Sequence, residues 1–367
     1  MKTILIVAAG TGGHLYPGMA LARAIRIQDP EARVVFAVRR GDMGRKLLER
    51  EKFEVREFSG QGFPRSFSWK LFTFPFSLCA GFLEARSVLR ELKPQVVVGM
   101  GGYLSFPLLL AARRAGIRTL IHEQNVLPGL ANRLLGRKVD AVAVSFSGSR
   151  KRFKNSNVLV SGLPVRSEIG KLSSAEGREH LGLAPGRFTV LVFGGSLGAS
   201  SVNDAVIKAW NALPECREWQ VVHITGSRGA QATASAYKSL PIKAVVMPYC
   251  HDMAAAYAAA DVVVSRSGAS TVAELSIVRK PAVLVPYPFA SENHQALNAE
   301  TLVLPGAARM ILDKNLNEVS LAGALRAFSS EDMRQAAVKS YDNLKDEVDH
   351  TLAADRLAEW VLQGTGK

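Results

Sequence analysis

The sequence predicts an α/β protein of two Rossmann-like domains, each a doubly wound parallel sheet, facing one another across a cleft. Three observations carry this. At 367 residues the chain is long for one core and sufficient for two. Short β-branched runs alternate with amphipathic helical stretches along nearly its whole length, the pattern of parallel sheets covered on both faces. The opening TILIVAAGTGGHLYPGMALARAI also recurs in layout as FTVLVFGGSLGASSVNDAVIKAW, each a strand, a glycine-rich turn and a helix.

Taken in order, TILIVAA, ARVVFAV, PQVVVGM, RTLIHEQ, AVAVSF and NVLVSG read as the strands of the first domain. FTVLVFGG, QVVHITG, KAVVMPY, DVVVSRSG and PAVLVPY read as those of the second. The seam falls near Ser161-Gly162-Leu163-Pro164, before the polar stretch SEIGKLSSAEGREH, so the domains are expected over 1–163 and 164–343. The helical stretch within 344–367 is expected to return and pack on the first domain. Sheets of this kind take ligands in the loops beyond the carboxyl ends of their strands, and the chemistry is sought there.

Composition narrows the class. With 48% hydrophobic and 21% charged residues the chain reads as an ordinary globular protein. Cys79, Cys216 and Cys250 share no close spacing, which argues against a disulfide framework or structural zinc and suits a reducing cytosol. The N-terminus runs straight into a strand with no signal-peptide layout. The longest apolar run, Leu71 to Leu83, carries Pro75 and falls short of the ~20 residues a membrane span needs. Residues 1–163 hold 26 Lys and Arg against 11 Asp and Glu, a net +15; the remainder nets −1. That basic half fits a solvated face, a nucleic-acid surface or attraction to anionic lipid, and charge alone does not choose.

Three glycine-rich turns directly follow strands, at Gly10–Gly13, Gly99–Gly102 and Gly194–Gly198. Glycine lets a ligand approach the backbone, and a helix starting just afterwards offers unpaired N–H groups to a diphosphate. Any one such turn could serve tight packing only; three on one predicted sheet edge favour ligand contact. None has the spacing or lysine of a Walker loop. The dinucleotide fingerprint fits poorly too, because the second strand ends in Arg39-Arg40 where an acidic ribose ligand belongs; NADP-type binding through those arginines stays open. His14 stands where the first turn becomes a helix. A histidine there can simply bond backbone, or it can face the cleft as a neutral base, since its ordinary pKa is near neutrality.

At this point the residues resemble a known family. GTGGHLYPGMALA, VVVGMGGYLSFP, HEQNVLPGLANR, VLVFGGSLGASSVN, DMAAAYAAADVVVSRSGASTVAEL and ENHQALNAE occur in order from residue 10 to residue 300. Together they are similar to the MurG family of N-acetylglucosaminyltransferases, which act on undecaprenyl-diphosphate-linked muramoyl-pentapeptide. The resemblance implies a GT-B fold, UDP-N-acetylglucosamine held by the second domain, the lipid-linked acceptor by the first, and no cofactor. It implies that Thr11, Gly12, Gly13 and Asn125 approach the donor from the first domain. Arg166 would follow the seam, and Ser196 would lie near the diphosphate. It also implies that Ala269, Ser270, Thr271, Val272, Ala273 and Glu274 face the nucleotide, with Glu274 on the ribose. Gln295 would read the sugar, Cys250 would contact uracil through its backbone, and Gly101, Gly102 and Tyr103 would serve the acceptor.

These residue types suit those roles. A carboxylate such as Glu274 can accept from two vicinal hydroxyls, and the amides of Asn125 and Gln295 both donate and accept. Ser196 adds a hydroxyl to a helix start, and Arg166 can offset charge on departing UDP. Two positions depart from the family pattern: Leu163 replaces an asparagine at the seam, and His294 stands where a second glutamine is frequent. The first removes a side-chain amide; the second bears on sugar discrimination.

The reaction expected is a single inverting displacement by the muramoyl 4-hydroxyl, with His14 as the base and His122 and Glu123 as rivals. No Asp-x-Asp pair occurs to hold a metal on the diphosphate, so no metal is expected. The aromatic stretch around Trp69 to Leu78, within residues 65–82, lies on the basic domain. A buried helix is its bland reading; insertion into an anionic membrane surface would explain both features and place the enzyme peripherally on the cytoplasmic face. Two rivals remain at this level. One is a nonhydrolysing UDP-N-acetylglucosamine 2-epimerase; the other is a basic nucleic-acid-binding module, disfavoured because no aromatic–basic interleaving or recognition helix is evident, so no nucleic-acid partner is expected.

Overall fold

The computed structural model describes residues 2–8, 12–42, 44–59, 70–195, 198–345 and 348–363, with backbone alone at 70–78 and 345. Two compact units result: Met1–Arg166 with Val348–Lys367, and Ser167–Glu347. In the first unit the strands are β1 (Thr3–Val7), β2 (Arg33–Arg39), β3 (Glu54–Phe58), β4 (Val96–Gly99), β5 (Arg118–Glu123), β6 (Ala141–Val144) and β7 (Val158–Val160). They form one parallel sheet in the order β3-β2-β1-β4-β5-β6-β7.

Every residue of β1 is buried, as befits a central strand covered on both sides. Its side chains alternate between two cores. Ile4 and Ile6 pack with Met19, Phe36, Leu357 and Val361; Leu5 and Val7 pack with Leu89, Val97, Leu108 and Leu109. The first of these cores joins α1 (Gly12–Gln28) to the helix Ala353–Gln363, so the C-terminal segment is part of the N-terminal unit's interior. That helix starts later than the helical pattern near Leu344 suggests. A separate short helix, Asp342–Lys345, ends the second unit, and the chain then passes through Asp349 and His350 before turning again.

The second unit holds β8 (Thr189–Phe193), β9 (Gln220–Ile224), β10 (Lys243–Met247), β11 (Val262–Ser265), β12 (Ala282–Leu284) and β13 (Ala308–Met310). These too are all parallel, in the order β10-β9-β8-β11-β12-β13. The α/β class and the two parallel sheets are as the strand pattern predicts. Two strands escape that pattern, β3 and β13, and each is an edge strand. Glu54-Val55-Arg56-Glu57-Phe58 is charged at three of its five positions and mostly unburied, and Ala308-Arg309-Met310 is three residues long. An edge strand has one neighbour only and tolerates charge, so it need not show the apolar run by which central strands are recognised.

Both sheets reverse direction of growth once, between β1 and β4 and between β8 and β11. The strands diverge there and leave a crevice at their carboxyl ends. Gly12 and Gly13, Gly99 to Gly102, and Gly194, Gly195 and Gly198 all stand at these two reversals.

Candidate functional site

At the first reversal, α1 begins at Gly12 and carries Gly13 and His14, while β4 runs out into Met100-Gly101-Gly102-Tyr103. β5 ends in His122 and Glu123 and is followed by Gln124 and Asn125. Gln124 links all three segments. His14 Nδ1 lies 2.6 Å from Gln124 Oε1, and Gln124 Nε2 donates to the Met100 carbonyl at 2.7 Å. Gly101 lies against the imidazole: a Cβ there would stand 2.9 Å from His14 Cε1, and its φ of +99° also favours glycine. Ser105 Oγ donates to the Gly101 carbonyl at 2.8 Å and steadies this turn, whose Tyr103 is exposed. Burial holds the His14 pKa below the ordinary histidine value, opposed by the Gln124 bond, the Glu123 charge and the Met100 carbonyl. The ring is thereby kept neutral near pH 7.

The two rival bases are differently placed. The Glu123 carboxylate is buried and accepts from Asn125 N, Gly129 N and Asn132 Nδ2 at 2.8–3.0 Å, with Asn125 Nδ2 at 3.4 Å. Its lone pairs are occupied in folding the HEQN loop. His122 is fully buried, bonds the Gly162 carbonyl through Nε2 at 2.9 Å, and is pushed down to about 4 by burial. Both side chains are engaged in holding the fold, whereas His14, at the start of α1, is only partly buried. Sequence spacing could not separate His122 from Glu123, because it does not reveal which side of β5 a side chain takes. Arg166 ends the first unit with its guanidinium 4.9 Å from the Tyr16 ring, a cation–π contact.

At the second reversal two helices start, Ser200–Asn211 after β8 and Ala269–Val278 after β11. Their N-cap residues, Ala199 and Gly268, have no side chain able to cap, so the first-turn N–H groups are left for other acceptors. Gly194 and Gly198 fit by close packing: a Cβ on either would come within 2.3 Å of backbone at Ala199 or Thr225. Glu274 accepts from the buried Tyr257 hydroxyl at 2.9 Å, and Tyr257 is itself braced edge-on against Phe193. Gln295 Oε1 accepts from Tyr287 N at 2.9 Å, and its backbone carbonyl accepts from Ser267 Oγ at 2.8 Å. The Cys250 side chain is buried.

Helical periodicity divides the expected nucleotide segment Ala269–Glu274 between two faces. Val272 and Ala273 are fully buried in the core and Ala269 nearly so, leaving Ser270, Thr271 and Glu274 on the other side. Thr11 and Ser196 lie outside the described residues. Three positioned residues lie inside the quoted motifs without having been given a role: Gln124, Tyr257 and Arg266. Arg266 is buried and donates to the Val285 and Pro286 carbonyls, Asp313 and Ser201, tying four loops of the second edge together. Among the described residues, no three His, Cys, Asp or Glu side chains converge as metal ligands.

Comparison with known proteins agrees with this anatomy. The N-terminal domain model of glycosyltransferase family 28 matches residues 4–144, and the C-terminal domain model matches residues 189–352. The chain is 39% identical over 321 residues to a Thermodesulfovibrio yellowstonii protein, covering 87% of each. It is 39% identical over 368 residues to one from Syntrophus aciditrophicus, covering 96% of this chain and 99% of the relative. Both bear the name UDP-N-acetylglucosamine–N-acetylmuramyl-(pentapeptide) pyrophosphoryl-undecaprenol N-acetylglucosamine transferase. Among solved structures, Acinetobacter baumannii MurG aligns with TM-score 0.79 and 28% identity over 99% of this chain and 100% of that one. Two family models that together span most of the chain, and relatives of this identity over most of its length, make it a member of glycosyltransferase family 28, an enzyme of the GT-B fold class.

Proposed function

We propose that this enzyme transfers N-acetylglucosamine from UDP-N-acetylglucosamine to the muramyl 4-hydroxyl of pyrophosphoryl-undecaprenol-linked muramyl-pentapeptide, with His14 as the base. The printed activity of the relatives supports the substrates. The observation that carries the chemistry is the His14 imidazole, kept neutral by burial and gripped at the strand-end edge of the first sheet. In the reaction the acceptor O4–H proton passes to the imidazole as O4 bonds to the anomeric carbon. The bond from that carbon to the UDP oxygen breaks, and configuration inverts. Arg166 and the uncapped helix starts of the second unit would offset the charge on UDP. Glu274, held by Tyr257, would bond the ribose, and Gln295 the sugar.

The acceptor is a lipid, so the same reading has the enzyme working peripherally at the cytoplasmic face of the membrane, through residues 65–82 and the basic first half. Of that segment, residues 65–69 lie outside the described residues; the helix Lys70–Leu92 covers the rest. No helix among the described residues is long and apolar enough to cross a membrane.

The test is turnover of His14→Ala with a lipid-linked muramyl-pentapeptide acceptor. General base catalysis contributes on the order of 10²–10⁴-fold, so a loss in that range is expected. A loss smaller than about tenfold overturns the assignment. UDP release that does not require the acceptor would favour an epimerase and overturn the substrate reading.

A further inference from the structure

We propose that Gln124 is the positioning residue of the reaction, fixing His14 in the tautomer that carries its proton on Nδ1 and leaves Nε2 as the basic nitrogen. This rests on the reading of His14 as the base. The argument is one of hydrogen-bond polarity. A backbone carbonyl can only accept, so the Gln124 atom 2.7 Å from the Met100 oxygen is the NH2 group. The other end of the amide, turned to His14, is therefore the oxygen. A carbonyl oxygen at 2.6 Å from Nδ1 requires a hydrogen between them, and only the ring can supply it. Gln124 thus relays the fixed polarity of one peptide bond to the imidazole.

Two further features hold this arrangement. Gln124 is buried, so no bulk water competes for its amide, and Met100 is fully buried. Gly101, next along the chain from the orienting carbonyl, lies against the ring edge that includes Cε1 and Nδ1. One turn therefore sets both the position of the ring and, through Gln124, its protonation pattern. A carboxylate at position 124 would do the same with more force, and would raise the pKa of the ring as well. The neutral amide orients the imidazole while leaving it deprotonated near neutrality. The charged group facing His14 from the same segment is Glu123, and His122 is the neighbouring titratable ring.

The experiment is heteronuclear NMR of the full chain labelled with 15N-histidine at pH 8. The His14 signals are assigned by their loss in His14→Ala, and kinetics are measured on the same variants. Wild type is expected to show a protonated Nδ1 and an unprotonated Nε2. Gln124→Met, close in size but without the amide, should shift the ring toward the Nε2–H tautomer. Its kcat should fall about 10²-fold or more while the KM for UDP-N-acetylglucosamine stays within about threefold, because a wrong tautomer removes the base without removing substrate contacts. Gln124→Glu should restore the Nδ1–H tautomer and most of kcat, and move the acid limb of the kcat profile up by about one unit or more. An Nε2-protonated His14 in wild type, or an unchanged tautomer in Gln124→Met, overturns the proposal. The NMR result does not depend on turnover, so it stands apart from the His14→Ala test of the base assignment.

Discussion

Replacing Gly101 by alanine should damage catalysis far more than folding, and its two effects can be worked out separately. The added Cβ would stand 2.9 Å from His14 Cε1 and 3.0 Å from Nδ1. Restoring a carbon–carbon separation of about 3.5 Å requires the ring to retreat by roughly 0.6 Å. Misplacement by about 1 Å at a reacting group can cost on the order of 10²-fold. The backbone contributes a second term, since alanine at a φ of +99° costs about 1–3 kcal/mol. For a unit of this size each kcal/mol lowers the melting temperature by about 2–4 °C, so a fall of roughly 2–12 °C is expected. Gly116 supplies the control: its φ is +72° and a Cβ there meets nothing within 4 Å. Gly116→Ala should reproduce most of the thermal loss with kcat unchanged. Calorimetry and acceptor-dependent UDP release, run on both variants at a temperature where each is folded, make the comparison. If Gly101→Ala keeps kcat within threefold of Gly116→Ala, the ring is not held as described.

Three further outcomes are expected. His122 and His350 are each pushed down to about 4 by burial, against about 6.5 in an unfolded chain. Between those values the unfolded state binds the extra protons, so stability falls as pH falls from about 6.5 to 4, by on the order of 3 kcal/mol for each ring. Urea midpoints measured across that range should show it, and His350→Gln should remove about one proton from the slope; an unaltered slope would contradict it. Tyr257→Phe deletes the hydroxyl that holds Glu274, and bonds to charged groups are worth about 1.5–3 kcal/mol, so the KM for the donor should rise about tenfold or more with kcat little changed. A proportional loss of kcat alone would place Glu274 elsewhere in the reaction. Binding to anionic vesicles should weaken with salt and in Phe72→Ser/Phe76→Ser; salt-independent or absent binding would remove the membrane role of that segment.

The parallel sheets were legible because a strand buried on both faces must be apolar throughout, and TILIV, TVLVF and VVVS leave no other reading. Glu54–Phe58 and Ala308–Met310 were not, since an edge strand can carry charge and still pair. The site divided in the same way. Gly101 and His14 were visible as a turn and a helix start, yet the contact between them joins residues 87 positions apart and has no local signature. Glu123 stood as a rival base from its place at the adjacent strand end; the four donors folded around it come from a loop whose path no spacing rule fixes. Gln124 was passed over because an amide acquires a role only from the polarity of its partners, and those are settled in three dimensions.

The place of the helix Ala353–Gln363 in the core of the first unit bears on the order in which the protein can be made. Ser167–Glu347 is one uninterrupted stretch, so the second unit has all its core residues as soon as that stretch has left the ribosome. The first unit, although translated earlier, still lacks Leu357, Ala358 and Val361, all fully buried beneath α1 and β1. The part of its core that these residues complete must stay open while the whole second unit is synthesised. The N-terminal half is therefore the last to mature, and it is the half exposed to aggregation or chaperone capture during synthesis.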